Sequence, residues 1–210
     1  MAKILKAGPR ALLEAASLIM KGGIVAYPTD TVYGLGCDPF NGEALLRLVR
    51  AKRRKQGRLP VLVDSVGRAE EFGKFEVLAY CLAKRFWPGP LTLVVPSRMK
   101  LPDIVTGSTG HVGLRSPRHP VAIQLIRACA GAIVGTSANV SGATPAETAH
   151  QAAKELDGKL ALVLDGGRTG SGVESSVVEI DNGAVSILRE KSITKERIFH
   201  ALRTLGREYK

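Results

Sequence analysis

Behind Pro9, the residues Leu12, Leu13, Ala16, Ile19 and Met20 recur at helical spacing over 11–21, and Gly22-Gly23 closes the run. That pattern predicts a helix with one apolar stripe turned toward a core. The short apolar stretch 24–27 predicts a buried strand ended by Pro28. Asn41 is a candidate N-cap for a helix through Ala44, Leu45, Leu48 and Val49, because its side-chain oxygen can take up an unpaired N–H of the first turn. Further strands are predicted over 60–63, 91–95, 112–115, 132–136, 160–164, 176–180 and 185–188. Further helices are predicted over 65–72, 76–86, 119–130, 145–156 with Thr144 as the opening residue, and from Thr194 onward. Helices and strands alternate throughout, and several connections are too short for parallel crossovers. The expected fold class is therefore α/β with a twisted mixed sheet, not a regular Rossmann arrangement.

With 210 residues and 45% hydrophobic content, the chain can bury one sizeable core, and a single domain over 1–210 is expected. Its apolar runs are far shorter than the roughly 20 residues of a membrane span, and no signal-peptide pattern opens it. A cytoplasmic location without a membrane partner is the expectation. Cys37, Cys81 and Cys129 form no C-x-x-C pair, and His111, His119, His150 and His200 show no metal-ligand spacing, so free thiols and no protein metal site are expected. The net charge of +11 is uneven. Arg47, Arg50, Lys52, Arg53, Arg54, Lys55 and Arg58 crowd into twelve residues without an acidic one. Such a run is a solvated helix end, a nucleotide-phosphate site or a nucleic-acid surface. No aromatic residue interleaves with it, which argues against a stacking platform for single strands. The charged tail 203–210 is the segment expected to fray.

Nothing matches a P-loop, and Gly170-Ser171-Gly172 lacks the third glycine of a dinucleotide fingerprint. What stands out is a set of polar loops directly after apolar strands, where a rigid scaffold can hold exposed groups. Residues 27–36 carry Thr29, Asp30 and Thr31, and residues 135–142 carry Thr136, Ser137, Asn139 and Ser141. Residues 165–176 and the strand-end Arg115 complete the set. Taken singly, each is a polar turn or a surface ion pair; together with the basic run they predict a pocket for a polyanion and a small polar substrate. Ser141, one turn past Ser137, is expected to cap the following backbone in preference to lining that pocket.

Several stretches occur in a telling order: 27–36 (Tyr27-Pro28-Thr29-Asp30-Thr31-Val32-Tyr33-Gly34-Leu35-Gly36), Lys52-Arg53-Arg54, Trp87-Pro88-Gly89-Pro90-Leu91-Thr92, Val112-Gly113-Leu114-Arg115-Ser116-Pro117, Thr136-Ser137-Ala138-Asn139-Val140-Ser141-Gly142 and Glu174-Ser175-Ser176-Val177-Val178. In these, over nearly its whole length, the chain resembles the YrdC family. The resemblance implies a twisted open mixed sheet with flanking helices around a deep, positively charged cavity. It also implies nucleotidyl transfer: L-threonine, bicarbonate and ATP give threonylcarbamoyl-AMP and pyrophosphate, for the threonylcarbamoyladenosine modification of tRNA. Carried over by position, Lys52 and Arg54 are the implied catalytic residues. Arg54, Arg58, His111, Ser137, Asn139, Pro145 and Arg189 would face ATP, and Thr31, Arg115 and Ser175 would bind threonine or its carbamate. Mg²⁺ is expected to arrive with ATP, held mainly by phosphates. The implied partners are double-stranded RNA or tRNA and a downstream tRNA-modifying transferase complex. The alternative is a double-stranded RNA- or tRNA-binding protein of the same fold without synthase activity. Another is a related carbamoyl-adenylate-handling domain that does not accept threonine. Where the family continues K-x-R-P-x-x-K-P-L, this chain reads Lys52-Arg53-Arg54-Lys55-Gln56-Gly57-Arg58-Leu59-Pro60. It resembles the family's single-domain form.

Overall fold

The computed structural model describes residues 2–54, 58–170 and 172–203. Lys55 of the basic run, Ser171 of the third loop and the expected frayed end from 204 lie outside the described residues. The strands are β1 (Ile4–Lys6), β2 (Val25–Tyr27), β3 (Gly34–Gly36), β4 (Val61–Val63), β5 (Leu91–Pro96), β6 (His111–Arg115), β7 (Ala132–Val134), β8 (Thr136–Ser137), β9 (Leu162–Asp165), β10 (Ser176–Asp181) and β11 (Ala184–Arg189). The helices are α1 (Pro9–Met20), α2 (Gly42–Ala51), α3 (Val66–Phe72), α4 (Val77–Phe86), α5 (Asp103–Thr106), α6 (Pro120–Ala128), α7 (Ala149–Glu155) and α8 (Lys195–Arg203).

The mixed α/β class is as expected, but the strands divide over two sheets. One sheet runs β1-β9-β2-β3-β8, parallel from β1 to β2 and antiparallel beyond. The other runs β11-β10-β5-β6-β4-β7 and alternates antiparallel with parallel pairs. The expected strand 132–136 is where they separate: β7 belongs to the second sheet, β8 to the first, and Gly135 lies between. A Cβ on Gly135 would sit 2.3 Å from Leu62 Cγ, so only glycine fits this crossing. The Gly135 N–H donates to Pro60 O at 2.8 Å and the Ala138 N–H to Tyr33 O at 2.7 Å, which ties the crossing to both sheets.

Burial explains the elements. In α1 the buried face is Ala11, Leu12, Ala15, Ala16 and Ile19, packed against α6 and β9 in a satellite core with Leu125, Ile126, Leu162 and Leu164. The main core gathers α2, α4, α7 and the centre of the second sheet around Leu45, Leu48, Phe72, Leu82, Leu93 and Leu114. Asn41 caps α2 as its sequence position suggests, Oδ1 accepting from the Ala44 N–H at 3.0 Å. The helix expected over 145–156 from Thr144 instead starts at Ala149 under Thr148, with a capping box to Gln151. Residues ahead of it are held outside the helix by tertiary bonds: the Tyr33 N–H donates to Ala146 O at 2.8 Å, and the Thr169 N–H to Glu147 O at 2.9 Å. The strand Gly34–Gly36, read from sequence as a glycine-bearing loop, pairs with β2 because the Tyr27 ring lies against it; a Cβ on Gly36 would meet Tyr27 Cε1 at 2.8 Å. Cys37 and Cys129 are buried free thiols, and burial pushes both up to about 12. Among the described residues no helix is long and apolar enough to cross a membrane.

Candidate active site

Strands of both sheets line one cavity of about 620 Å³. Three of its walls carry polar side chains joined to the protein by hydrogen bonds.

The first wall is the turn after β2 together with the end of β6. Arg115 is 6% exposed. Its Nε donates to Gly89 O at 3.0 Å, Nη1 to Thr31 Oγ1 at 3.2 Å and Nη2 to Asp30 Oδ1 at 2.6 Å. Burial pulls its pKa down and the facing Asp30 carboxylate acts against that. A guanidinium has five N–H groups, so these contacts leave one hydrogen on each Nη. Beside it Thr29 and Thr31 are buried, their hydroxyl oxygens 2.9 Å apart.

The second wall is the end of α2 against the segment 136–143. Lys52 is 2% exposed and its Nζ donates to Ser137 O, to Asn139 O at 2.8 Å and to Asn139 Oδ1 at 3.3 Å. Its own carbonyl accepts from the Ser141 N–H at 2.8 Å, and Asn139 Nδ2 donates to Ala143 O at 2.6 Å. Lysine and loop therefore hold each other. Burial, then the neighbouring Arg54 charge, lowers the Lys52 pKa to about 8. Arg54 donates to Arg58 O at 2.9 Å, and burial followed by Arg189 lowers its pKa as well. Arg58 reaches Thr109 Oγ1 at 3.0 Å and Glu179 Oε1 at 3.0 Å.

The third wall is β10 and β11. Arg189 donates through Nε to Ser175 O at 3.0 Å and through Nη2 to Ser175 Oγ at 3.2 Å, while Nη1 lies 3.3 Å from Glu174 Oε2. Ser175 Oγ is also 2.9 Å from Thr92 Oγ1. The described lining thus sets Lys52, Arg54, Arg58, Arg115 and Arg189 against one carboxylate, Glu174. Field lines from clustered cations in a concave site favour anions. Among the described residues no group of three or more His, Cys, Asp or Glu comes together to hold a metal ion.

A family model described as Sua5/YciO/YrdC, telomere recombination, matches residues 17–191. The chain belongs to the Sua5/YciO/YrdC family. The threonylcarbamoyl-AMP synthase of Pyrococcus abyssi is 38% identical over 191 residues, covering 88% of this chain and 55% of the relative. That of Thiobacillus denitrificans is 41% identical over 173 residues, covering 81% of this chain and 90% of the relative. The chain accordingly spans about half the length of the Pyrococcus relative, 55%, and most of the other. Among solved structures, P. abyssi Sua5 complexed with L-threonine superposes with a TM-score of 0.89 at 35% identity, over 96% of this chain and 60% of that one.

Of the residues that the family resemblance singles out, Thr31, Lys52, Arg54, Arg58, Arg115, Ser137, Asn139, Pro145, Ser175 and Arg189 all line the cavity. His111 does not. It opens β6, about 13 Å along the strand from Arg115 at roughly 3.3 Å per residue. There Nδ1 lies 3.0 Å from Thr109 O and Nε2 lies 3.6 Å from Asp181 Oδ2. Ser141 lines the cavity, and the bond it makes to Lys52 comes from its backbone, not the expected capping hydroxyl. Thr29, Thr92, Glu174 and Leu188 also line it, although the resemblance implies no binding role for them. Thr92 carried a signal, being the one polar residue inside the otherwise apolar run 91–95. Leu188 carried none, because an apolar residue on an edge strand reads as packing.

Proposed function

We propose that this chain makes threonylcarbamoyl-AMP and pyrophosphate from L-threonine, bicarbonate and ATP, as a nucleotidyltransferase. The observation that carries the reading is the cavity itself: a buried, pre-anchored Arg115 on one side and Lys52, Arg54, Arg58 and Arg189 on the others. It is supported by relatives that bear the synthase name and by a Sua5 structure complexed with L-threonine.

In this mechanism the threonine carboxylate bridges the remaining Nη hydrogens of Arg115. The threonine amine adds to carbon dioxide derived from bicarbonate. The carbamate oxygen then attacks the α-phosphorus of ATP, and the bond to pyrophosphate breaks. Attacker and target are both anionic, so the protein's task is to hold them in line and oppose their repulsion. Arg54, Arg58 and Arg189, with Ser137, Asn139 and Pro145, form the nucleotide side; Thr31 and Ser175 meet threonine or its carbamate. Lys52 acts through its charge and by fixing the 136–143 segment, since its three donors are engaged there. A Mg²⁺ ion would rest on phosphate oxygens, because Glu174, the single carboxylate in the described lining, is paired with Arg189. When bound it would offset phosphate charge. The product is a reactive mixed anhydride, suited to a tRNA-modifying transferase complex that consumes it in the cytoplasm. A purely RNA-binding protein would leave the buried Arg115, Thr29 and Thr31 arrangement without a task.

Pyrophosphate release tests the reading. It should require threonine, bicarbonate and ATP together; release at the same rate with threonine or bicarbonate omitted would refute it.

A further inference from the structure

Thr92 lies in β5 among Leu91, Leu93, Val94 and Val95, is 2% exposed and lines the cavity. Burying a hydroxyl in such a strand is costly unless a partner takes it up. The register fixes its neighbours. Leu93 lies opposite Leu114, so Thr92, one residue back, stands beside Arg115, one residue on. On the other side β10 runs parallel, with Val177 beside Thr92, and Ser175 directly precedes that strand. Thr92 therefore sits between Arg115 and the joined Ser175 and Arg189. After burial, the charge of Arg189 is among the causes that lower the pKa of Arg115 and of Arg54, so Arg189 is felt on both sides of this place.

Arg189 Nη2 stands 3.2 Å from Ser175 Oγ, and a guanidinium can only donate. Among the described residues the other partner of Ser175 Oγ is Thr92 Oγ1 at 2.9 Å, and Thr92 Oγ1 has that one partner. If Ser175 gave its hydrogen to Thr92, the hydrogen of Thr92 would be buried without an acceptor, which is costly. With Thr92 as the donor that hydrogen is used. Ser175 Oγ then fills both lone pairs, with Thr92 and with Arg189, and keeps its own hydrogen for the cavity that it lines. A hydroxyl in that state meets a ligand only as a donor.

We infer that Thr92 is a positioning residue that turns the Ser175 hydroxyl hydrogen into the cavity, where it donates to an oxygen of the carbamate formed on threonine. The inference rests on the three-substrate reading above and adds a residue to it. The nitrogen that becomes carbamate is one carbon away from the carboxylate held by Arg115, so the new oxygens come out beside Thr92, between that anchor and the nucleotide wall. Free threonine presents an ammonium there, which offers only hydrogens. The Ser175 hydrogen gains its partner once the anionic oxygens exist, and the pair thereby favours carbamate over free threonine, a difference that lowers the barrier instead of tightening substrate binding.

The test is pyrophosphate release at limiting bicarbonate, with threonine and ATP saturating. Thr92→Val, which keeps the branched shape and removes the donor, should slow it about tenfold, the worth of one hydrogen bond to a charged group. Calorimetric affinity for threonine in bicarbonate-free buffer, and for an ATP analogue, should stay at the wild-type value. Thr92→Ser should restore the rate. Ser175→Ala should lose at least as much, and the double variant no more than Ser175→Ala alone, because Thr92 acts through Ser175. Thr92→Ala serves for the same comparison if Thr92→Val fails to fold. A wild-type rate in Thr92→Val, or losses that add in the double variant, overturns the inference while leaving the synthase reading intact. Threonine or ATP-analogue affinity that falls along with the rate marks a structural role and overturns it too. A wild type whose pyrophosphate release does not depend on bicarbonate overturns the functional reading and this inference with it.

Discussion

Arg115 and Arg189 line the same cavity, each beside a carboxylate, yet the two pairs are built differently. Arg115 and Asp30 are 8% and 12% exposed in their side chains, and the arginine is held on three sides. Arg189 and Glu174 are 38% and 31% exposed, and their closest approach is 3.3 Å. In the first pair water is largely excluded, so geometry is fixed and the charges depend on each other; in the second, solvent screens the pair and the side chains can adjust. The contrast suits the tasks proposed for the two walls. A small amino acid needs one rigid anchor, whereas a triphosphate whose charge is redistributed during reaction is served by cations that can follow it.

The largest effect that could break this comparison is on stability. Asp30→Ala would leave Arg115 buried without its carboxylate, a loss on the order of 3–5 kcal/mol, seen as a large fall in the urea midpoint. Glu174→Gln should cost about 1 kcal/mol or less, a small shift of that midpoint. Equal losses in the two variants would erase the distinction between the walls.

A smaller, pH-dependent effect comes from the wall between them. The Lys52 pKa lies near 8, against an ordinary 10.5. As pH rises through about 8 the cavity loses that positive charge, so affinity for an ATP analogue should fall. The sign for stability is opposite: between about 8 and 10.5 the unfolded chain holds a proton that folded Lys52 has released, so this group's contribution to stability rises with pH. Lys52→Met should remove both dependences. Affinity that stays flat across that interval would contradict the role given to Lys52.

Much of the scaffold could be read in advance because burial period and chain order agree. The stripe of Leu12, Ala16 and Ile19 and the cap at Asn41 are local signals that the tertiary structure leaves intact. Thr144 misleads for a physical reason. Both Thr144 with Glu147 and Thr148 with Gln151 have capping-box spacing, and bonds from Tyr33 and Thr169 to the carbonyls of Ala146 and Glu147 decide for the second. Nor could the two-sheet division be foreseen, because it turns on Gly135 meeting Leu62, a contact between residues far apart in sequence. The basic run divides likewise. Arg47 turns to Gly22 O at 2.7 Å and Arg50 stays exposed, while Lys52, Arg54 and Arg58 enter the cavity. Charge density alone does not reveal which members of such a run face inward.

The central claim, that Arg115 anchors threonine on one wall while the nucleotide occupies the others, is tested most directly by calorimetric titration of Arg115→Lys. Lysine keeps the charge and loses the planar fork that can grip Asp30, Thr31 and a ligand carboxylate together. Threonine affinity should fall by about 1.5–3 kcal/mol, which is roughly ten- to a hundredfold, while an ATP analogue binds as it does to the wild type. Unchanged threonine affinity, or an equal loss for both ligands, would contradict the account.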